Sequence, residues 1–117
     1  MADTIDWRGH AGTYRYWFLE RWSNASDIKR EAGNYMFVKR VSNGWVPVYI
    51  GIADDLSDRL PCHERWAEAQ LHGATHVMGH TQSDRARREA EEKDLIGYWN
   101  PPLNTQHRRR GATLLGG

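Results

Sequence analysis

The sequence predicts a mixed α+β domain, and four stretches carry that prediction. Asn34 to Val41 (NYMFVKRV) and Val46 to Ile52 (VPVYIGI) read as strands on either side of Ser42-Asn43-Gly44, where an Asn-Gly pair supplies the positive backbone angles of a tight hairpin turn. Thr75 to His80 (THVMGH) reads as a third strand. Asp84 to Trp99 reads as a long helix capped by Ser83 and ended by Pro101-Pro102.

The remaining elements follow in chain order. Thr13 to Glu20 (TYRYWFLE) is aromatic and reads as extended chain, either an extra N-terminal strand or a dimer contact. Ser23 to Glu31 reads as a short helix capped by Ser23 or Ser26 and stopped before Gly33. After the hairpin, Asp54 or Asp55 caps a helix starting near Leu56, because a carboxylate there accepts bonds from the free amides of the first turn. Pro61 has no amide hydrogen, so it kinks that helix or divides it, with a second piece running through Trp66 to about Leu71.

Composition narrows the function classes. At 117 residues, 39% hydrophobic and 26% charged, the chain suits one domain with one modest core. A net charge of +1 provides no global footprint for a polyanion, so any such site must be a local patch. The single Cys62 excludes an internal disulfide. No apolar run approaches the roughly 18 residues of a membrane span, and MADTIDWRGH has no signal-peptide core, so the expectation is a cytoplasmic protein with no membrane partner. Six tryptophans, Trp7, Trp17, Trp22, Trp45, Trp66 and Trp99, are spread along the chain and read mostly as core or rim.

The long helix holds an anomaly. At ~100° per residue, Leu95, Ile96 and Trp99 define an inward face, Glu92 falls near its centre, and Arg88 and Arg85 continue the stripe. A half-helix that leaves the core into solvent explains this, and so does a carboxylate aimed inward as a metal ligand or a paired structural charge.

Gly33-Asn34-Tyr35, Tyr49-Ile50-Gly51, Arg59, His63, Glu92 and Asn104 follow one another in an order and spacing that resembles the GIY-YIG nuclease family. The resemblance covers residues 32–105. It leaves residues 1–31 as an N-terminal aromatic extension with a short helix, and 106–117 as a basic C-terminal tail. It implies a small three-stranded antiparallel sheet flanked by helices and a shallow polar groove in which phosphodiester bonds are cleaved. Glu92 then supplies a hard oxygen ligand for Mg²⁺ or Mn²⁺, with water and phosphate completing the shell. Arg59 forks two hydrogen bonds onto phosphate oxygens, or else pairs with Asp55 or Glu92.

The resemblance makes Tyr35 the favoured base, tuned by His63 or Arg59. A free phenol has a pKa of about 10, so it needs such help. Tyr49 orients water or phosphate. The alternative for both is packing in a half-buried hairpin with hydroxyls at the rim. Gly51 lets backbone approach the site, and Asn104 holds the segment after the helix through bonds to backbone. Arg88 and the cluster Arg108, Arg109 and Arg110 are the further candidates for nucleic-acid contact, the cluster being equally readable as a solubilising end.

Three features depart from the family pattern. Asn34 replaces an aliphatic residue, no lysine or threonine follows Gly51, where Ile52, Ala53 and Asp54 stand, and Pro61 separates Arg59 from His63. His76 and His80 share a strand face with Met78, but no third ligand joins them for zinc.

Two function classes result. One is a metal-dependent endonuclease acting on DNA, branched, damaged or single-stranded, with structure-selective or weakly sequence-specific cutting, unless a homodimer or a targeting partner adds specificity. The other is a catalytically inactive module of the same fold that binds nucleic acid or protein.

Overall fold

The computed structural model describes residues 4–104, so Arg108, Arg109 and Arg110 lie outside the described residues. Five strands rather than three form one antiparallel sheet: β1 (Thr4–Arg8), β2 (Thr13–Phe18), β3 (Gly33–Val41), β4 (Gly44–Ala53) and β5 (His76–Thr81), in the order β1-β2-β5-β3-β4. The aromatic N-terminal stretch is the extra strand β2, which joins β5 through Trp17 opposite Gly79 and Phe18 opposite Met78. β1 had no counterpart among the sequence expectations. Its alternation is only five residues long, with Trp7 buried and Asp6 and Arg8 exposed, and its pairing with β2 covers what would otherwise be an open edge.

Side-chain alternation on the central strand β3 divides two apolar layers. Met36 and Val38 meet Tyr16, Ile50, Met78, Trp7 and Leu95 on one face, whereas Tyr35 and Phe37 meet Val77, Leu56, Leu60 and Leu103 on the other. Covering both faces leaves Gly33 to Val38 buried without a break. The hairpin turn is Ser42-Asn43, with Val41 pairing Gly44, and Asn43 keeps a negative φ, since Asn100 is the only described non-glycine residue with φ above zero. Pro47 sits on β4, an edge strand, next to a register shift after Phe37, where its missing amide costs no ladder bond.

Asp55, one of the two expected caps, caps α1 (Leu56–Arg59), whereas Asn24 rather than Ser23 or Ser26 caps a single 3-10 turn, Ala25–Asp27. Pro61 does divide the helix, and α2 (Trp66–Leu71) follows a loop. Asp84, not Ser83, caps α3 (Arg85–Trp99) by accepting from the amide of Arg87 at 3.2 Å. Asn100 closes α3 in the left-handed conformation, φ 51°, its amide bonding the Ile96 carbonyl.

Of the expected inward stripe of α3, Arg88 and Leu95 are buried, but Glu91 rather than half-buried Glu92 lies between them, and Arg85 is exposed. Arg85 pairs with Glu89 at 3.0 Å. Arg88, 4% exposed, donates to the carbonyls of Gln82 and Ser83 and to Asp54 Oδ1, while its own carbonyl accepts from Asn34 Nδ2. Glu91 Oε2 accepts from the Tyr16 hydroxyl at 2.8 Å and faces His80 Nε2 at 2.5 Å. Neither arginine-and-solvent nor apolar packing describes this half of the helix, which is a buried polar layer. Asp94 ties α3 to the β1–β2 turn: its carboxylate accepts from the amides of His10, Ala11 and Gly12 and from the Tyr14 hydroxyl. Trp99 Nε1 donates to the Arg8 carbonyl at 2.8 Å.

Two packing features have measurable consequences. A Cβ on Gly51 would lie 2.5 Å from the Tyr35 hydroxyl oxygen and 2.6 Å from Cζ, since these residues face each other across β3 and β4. Gly51→Ala should therefore cost about 1–3 kcal/mol in urea denaturation, and an unchanged midpoint would mean that the phenol does not lie over Gly51. The second concerns His80, whose Nδ1 donates to the Arg15 carbonyl while Nε2 faces Glu91, an arrangement that suits the imidazolium. Burial opposes that charge, but the hydrogen bond and charge of Glu91 outweigh it and raise the His80 pKa above 6.5. A raised folded pKa stabilises the fold below the unfolded value, and this stability is lost as pH rises through the folded one. Denaturant midpoints taken from pH 6 to about 9 should fall with a slope of at most ~1.4 kcal/mol per pH unit, and the slope should disappear in His80→Asn.

Candidate active site

The sheet face that carries α1 and α2 also carries both hairpin tyrosines. Tyr35 is 1% exposed and lies over Gly51; Tyr49, half-buried, opposes Phe37 on β4. Because Pro61 ends α1, the chain turns tightly through His63, whose amide bonds the Leu60 carbonyl and whose carbonyl accepts from Trp66. This turn brings His63 Nε2 to 2.6 Å from the Tyr35 hydroxyl. The proline therefore places His63 over the phenol instead of rotating it away. Edge-on contacts with Phe37, Tyr35 and Tyr49, at centroid distances of 4.9, 5.3 and 5.6 Å, hold the ring.

Charge enters from the loop between α1 and α2. Arg59 grips Glu64 with both guanidinium nitrogens, at 2.6 and 2.8 Å, not Asp55 or Glu92. Glu64 is consequently held at about 2 by the Arg59 hydrogen bonds. Sequence reasoning missed Glu64, since a partner five residues away across a broken helix follows no helical spacing. Arg65 lies over the Tyr49 ring, its Cζ 5.3 Å from the centroid, and pairs with Glu68 at 3.0 Å.

These surroundings sort the titratable groups. Burial, followed by the Arg59 charge, lowers His63 to about 4, so its ring is neutral at physiological pH. Burial raises the Tyr35 phenol far more than Arg59 can lower it. Burial also raises Tyr49, with Arg65 and Arg59 pulling it back and Glu92 pushing it up.

Glu92 stands on α3, which packs against β4, and its charge acts on Tyr49 and also on Tyr16. The carboxylate is half-buried, and burial followed by Glu89 raises its pKa. No hydrogen bond or ion pair engages it among the described residues, in contrast to neighbouring Glu91 and Asp94. Asn104 brackets Ile50, accepting from its amide at 2.9 Å and donating to its carbonyl at 3.0 Å. It thus occupies the free edge of β4 as a short strand would.

Two candidate residues have other places. Arg88 is enclosed by Gln82, Ser83, Asp54 and Asn34 on the far side of the sheet and faces no groove. Gly51 makes room for Tyr35 rather than for a phosphate. His76 is exposed beside Thr75, and no cluster of three metal-ligating side chains occurs among the described residues. No helix among them is long and apolar enough to cross a membrane.

No family model matches the chain, and no curated protein matches it. Solved structures do, among them two of one domain. Both are crystal structures of the GIY-YIG N-terminal endonuclease domain of UvrC from Thermotoga maritima, each a point mutant bound to its catalytic divalent cation. They are 27% and 28% identical to this chain with TM-scores of 0.51 and 0.50, each alignment covering 62% of this chain and 81% of that one. The paired hairpin tyrosines, the broken first helix and the sheet behind them accordingly form a GIY-YIG domain fold.

Proposed function

We propose that this chain is a metal-dependent endonuclease that hydrolyses phosphodiester bonds in DNA, with structure-selective or weakly sequence-specific cutting. The observation that carries the reading is Glu92: a half-buried carboxylate with no partner among the described residues, acting on the phenol of Tyr49. A site built only to bind a polyanion has no use for such a charge. The donor set fits a hard divalent ion, Mg²⁺ or Mn²⁺, since a single carboxylate leaves most of the shell to water and phosphate oxygens. Bound there, the ion would neutralise charge on the phosphoryl oxygens.

The chain's own residues divide the remaining work. Arg59 binds the non-bridging phosphoryl oxygens through its fork and stays charged at every working pH. The two phenols hold the attacking water, and His63 keeps them in place. Asn104 fixes the β4 edge on which Tyr49 is carried. Branched, damaged or single-stranded DNA fits a groove that no base-reading element accompanies among the described residues.

A second reading, a catalytically silent module that binds nucleic acid or protein, is favoured by the occupancy of Arg59 by Glu64. Incubating the protein with nicked, branched and single-stranded DNA across a metal series separates the two. Glu92→Gln should reduce cleavage about 10³-fold with DNA binding kept within a few-fold, whereas equal behaviour of wild type and variant would support the binding module. Phosphate must also displace Glu64, an exposed pair of the kind worth about 0.2–1 kcal/mol. Steady-state kinetics of Glu64→Gln should therefore show KM lowered about two- to fivefold with kcat kept, and a raised KM would mean that Glu64 preorganises Arg59.

A further inference from the structure

The N-terminal hairpin keeps one of its faces open to solvent. Trp7 and Tyr16 are buried on the side that packs with Leu95 of α3, whereas the alternate residues Asp6, Arg8, Thr13, Arg15 and Trp17 are all exposed. Strand register puts the open face on the groove side of the sheet. Trp17 pairs with Gly79, Gly79 with Tyr35 and Tyr35 with Gly51, so the four form one row whose side chains point the same way. Trp17 therefore stands two strands from Tyr35, about 10 Å along the sheet, with only a glycine between them.

The Trp17 indole is 49% exposed and borders a cavity of about 520 Å³, with Gly79 as floor and Leu19, Ile28, Lys29 and Leu56 as further walls. A Cβ on Gly79 would lie 3.1 Å from Leu19 Cδ1, so glycine keeps the floor low. Leu56 belongs both to this cavity and to the apolar layer around Tyr35. Arg8, Arg15 and Lys29 outnumber the acids Asp6 and Asp27 on this side. Arg15 takes up Asp6 at 2.8 Å, and Arg8 and Lys29 have no ion pair among the described residues.

We propose that this face is a platform for single-stranded DNA, in which the Trp17 indole stacks an unpaired base over the Gly79 floor and Lys29 contacts its phosphate. The choice of DNA rests on the endonuclease reading, which the platform deepens by naming unpaired bases as what is recognised beside the groove. An aromatic face flanked by cations holds a strand without fixing its sequence, because every base has a π-face. Duplex bases are already stacked on one another and offer none to the indole. A protein partner would need about 800 Å² of well-packed surface with an apolar centre, which a lone indole among charged residues does not form.

Fluorescence anisotropy in EDTA, with a labelled single strand and a blunt duplex of equal length, reads binding without cleavage. Trp17→Ala should weaken the single strand about tenfold and leave the duplex within about twofold, and Trp17→Phe, which keeps a stacking ring, should stay within about threefold of wild type. Equal loss on both DNAs, or no loss on the single strand, overturns the proposal. Lys29→Gln should flatten the slope of log K against log salt for the single strand by about 0.7, and an unchanged slope overturns the phosphate contact. Sedimentation velocity tests a rival occupant: a wild-type dimer that becomes monomeric in Trp17→Ala makes this face a contact between copies and overturns the platform. If wild type cuts no DNA in any metal but the Trp17-dependent preference holds, the endonuclease reading fails and the platform stands. Cutting without that preference overturns the platform alone.

Discussion

The hydrogen bond between His63 Nε2 and the Tyr35 hydroxyl, 2.6 Å long and buried, is the contact around which the groove is arranged. A buried phenol without a partner would carry a desolvation cost of about 1–3 kcal/mol, so the chain that follows β4 must return a polar atom to it. Gly51 provides the room, Pro61 ends α1 early enough for His63 to turn inward, and the Arg65 amide sets which ring nitrogen bears the proton. One buried oxygen thereby constrains the chain at three separate places: a glycine at 51, an early end to α1 at Pro61 and a free main-chain amide at residue 65.

The two faces of the sheet handle charge in opposite ways. Behind it, buried Arg88, Glu91 and Tyr16 and half-buried His80 are paired, His80 Nε2 through its ion pair with Glu91, whereas Arg88 Nε, Asn34 Oδ1 and Trp7 Nε1 have no hydrogen-bond partner among the described residues. Such a layer adds little net stability, because desolvation consumes most of the attraction, but it allows only one rotation of α3. On the other face, Arg59 and Glu64 form an exposed pair, and Glu92 has no hydrogen bond or ion pair among the described residues. The matched layer fixes the helix that carries Glu92.

The hairpin, the division of the helix at Pro61, β5 and the span of α3 were legible because each rests on local chemistry: alternation, a missing amide, a capping carboxylate. The order of Tyr35, Tyr49, Arg59, His63 and Glu92 was legible as a resemblance to a fold. β1 was not, since five residues with Ile5 and Trp7 alternating are too few to stand out, and their stability comes from pairing with β2. Glu91 was missed because the apolar stripe of α3 was extrapolated from Leu95, Ile96 and Trp99 into a half where polar residues fill the interior. Glu64 and Arg65 were missed for a different reason. They act from a loop, where no periodicity relates position to direction. No lysine follows Gly51, and the cation that lies over the Tyr49 ring is Arg65, from another element.

The N-terminal hairpin, outside the motif residues, bears on the site through α3. Asp94 is held by three consecutive backbone amides of the β1–β2 turn and by Tyr14, and the approach is so close that a Cβ on Gly9 would fall on its carboxylate. Trp99 bonds Arg8 and meets Trp7 edge-on at 5.3 Å. Arg88 and Asn34 hold the start of the same helix, and Asn104 fastens the chain beyond its end to Ile50. Glu92 lies between these anchors, two residues before Asp94, so its height above β4 is set by contacts at both ends of the helix. With no hydrogen bond or ion pair among the described residues, this carboxylate depends on its backbone for position. The aromatic extension is therefore among the contacts that fix the stretch of α3 carrying Glu92, and β1 and β2 act on that stretch through rigidity.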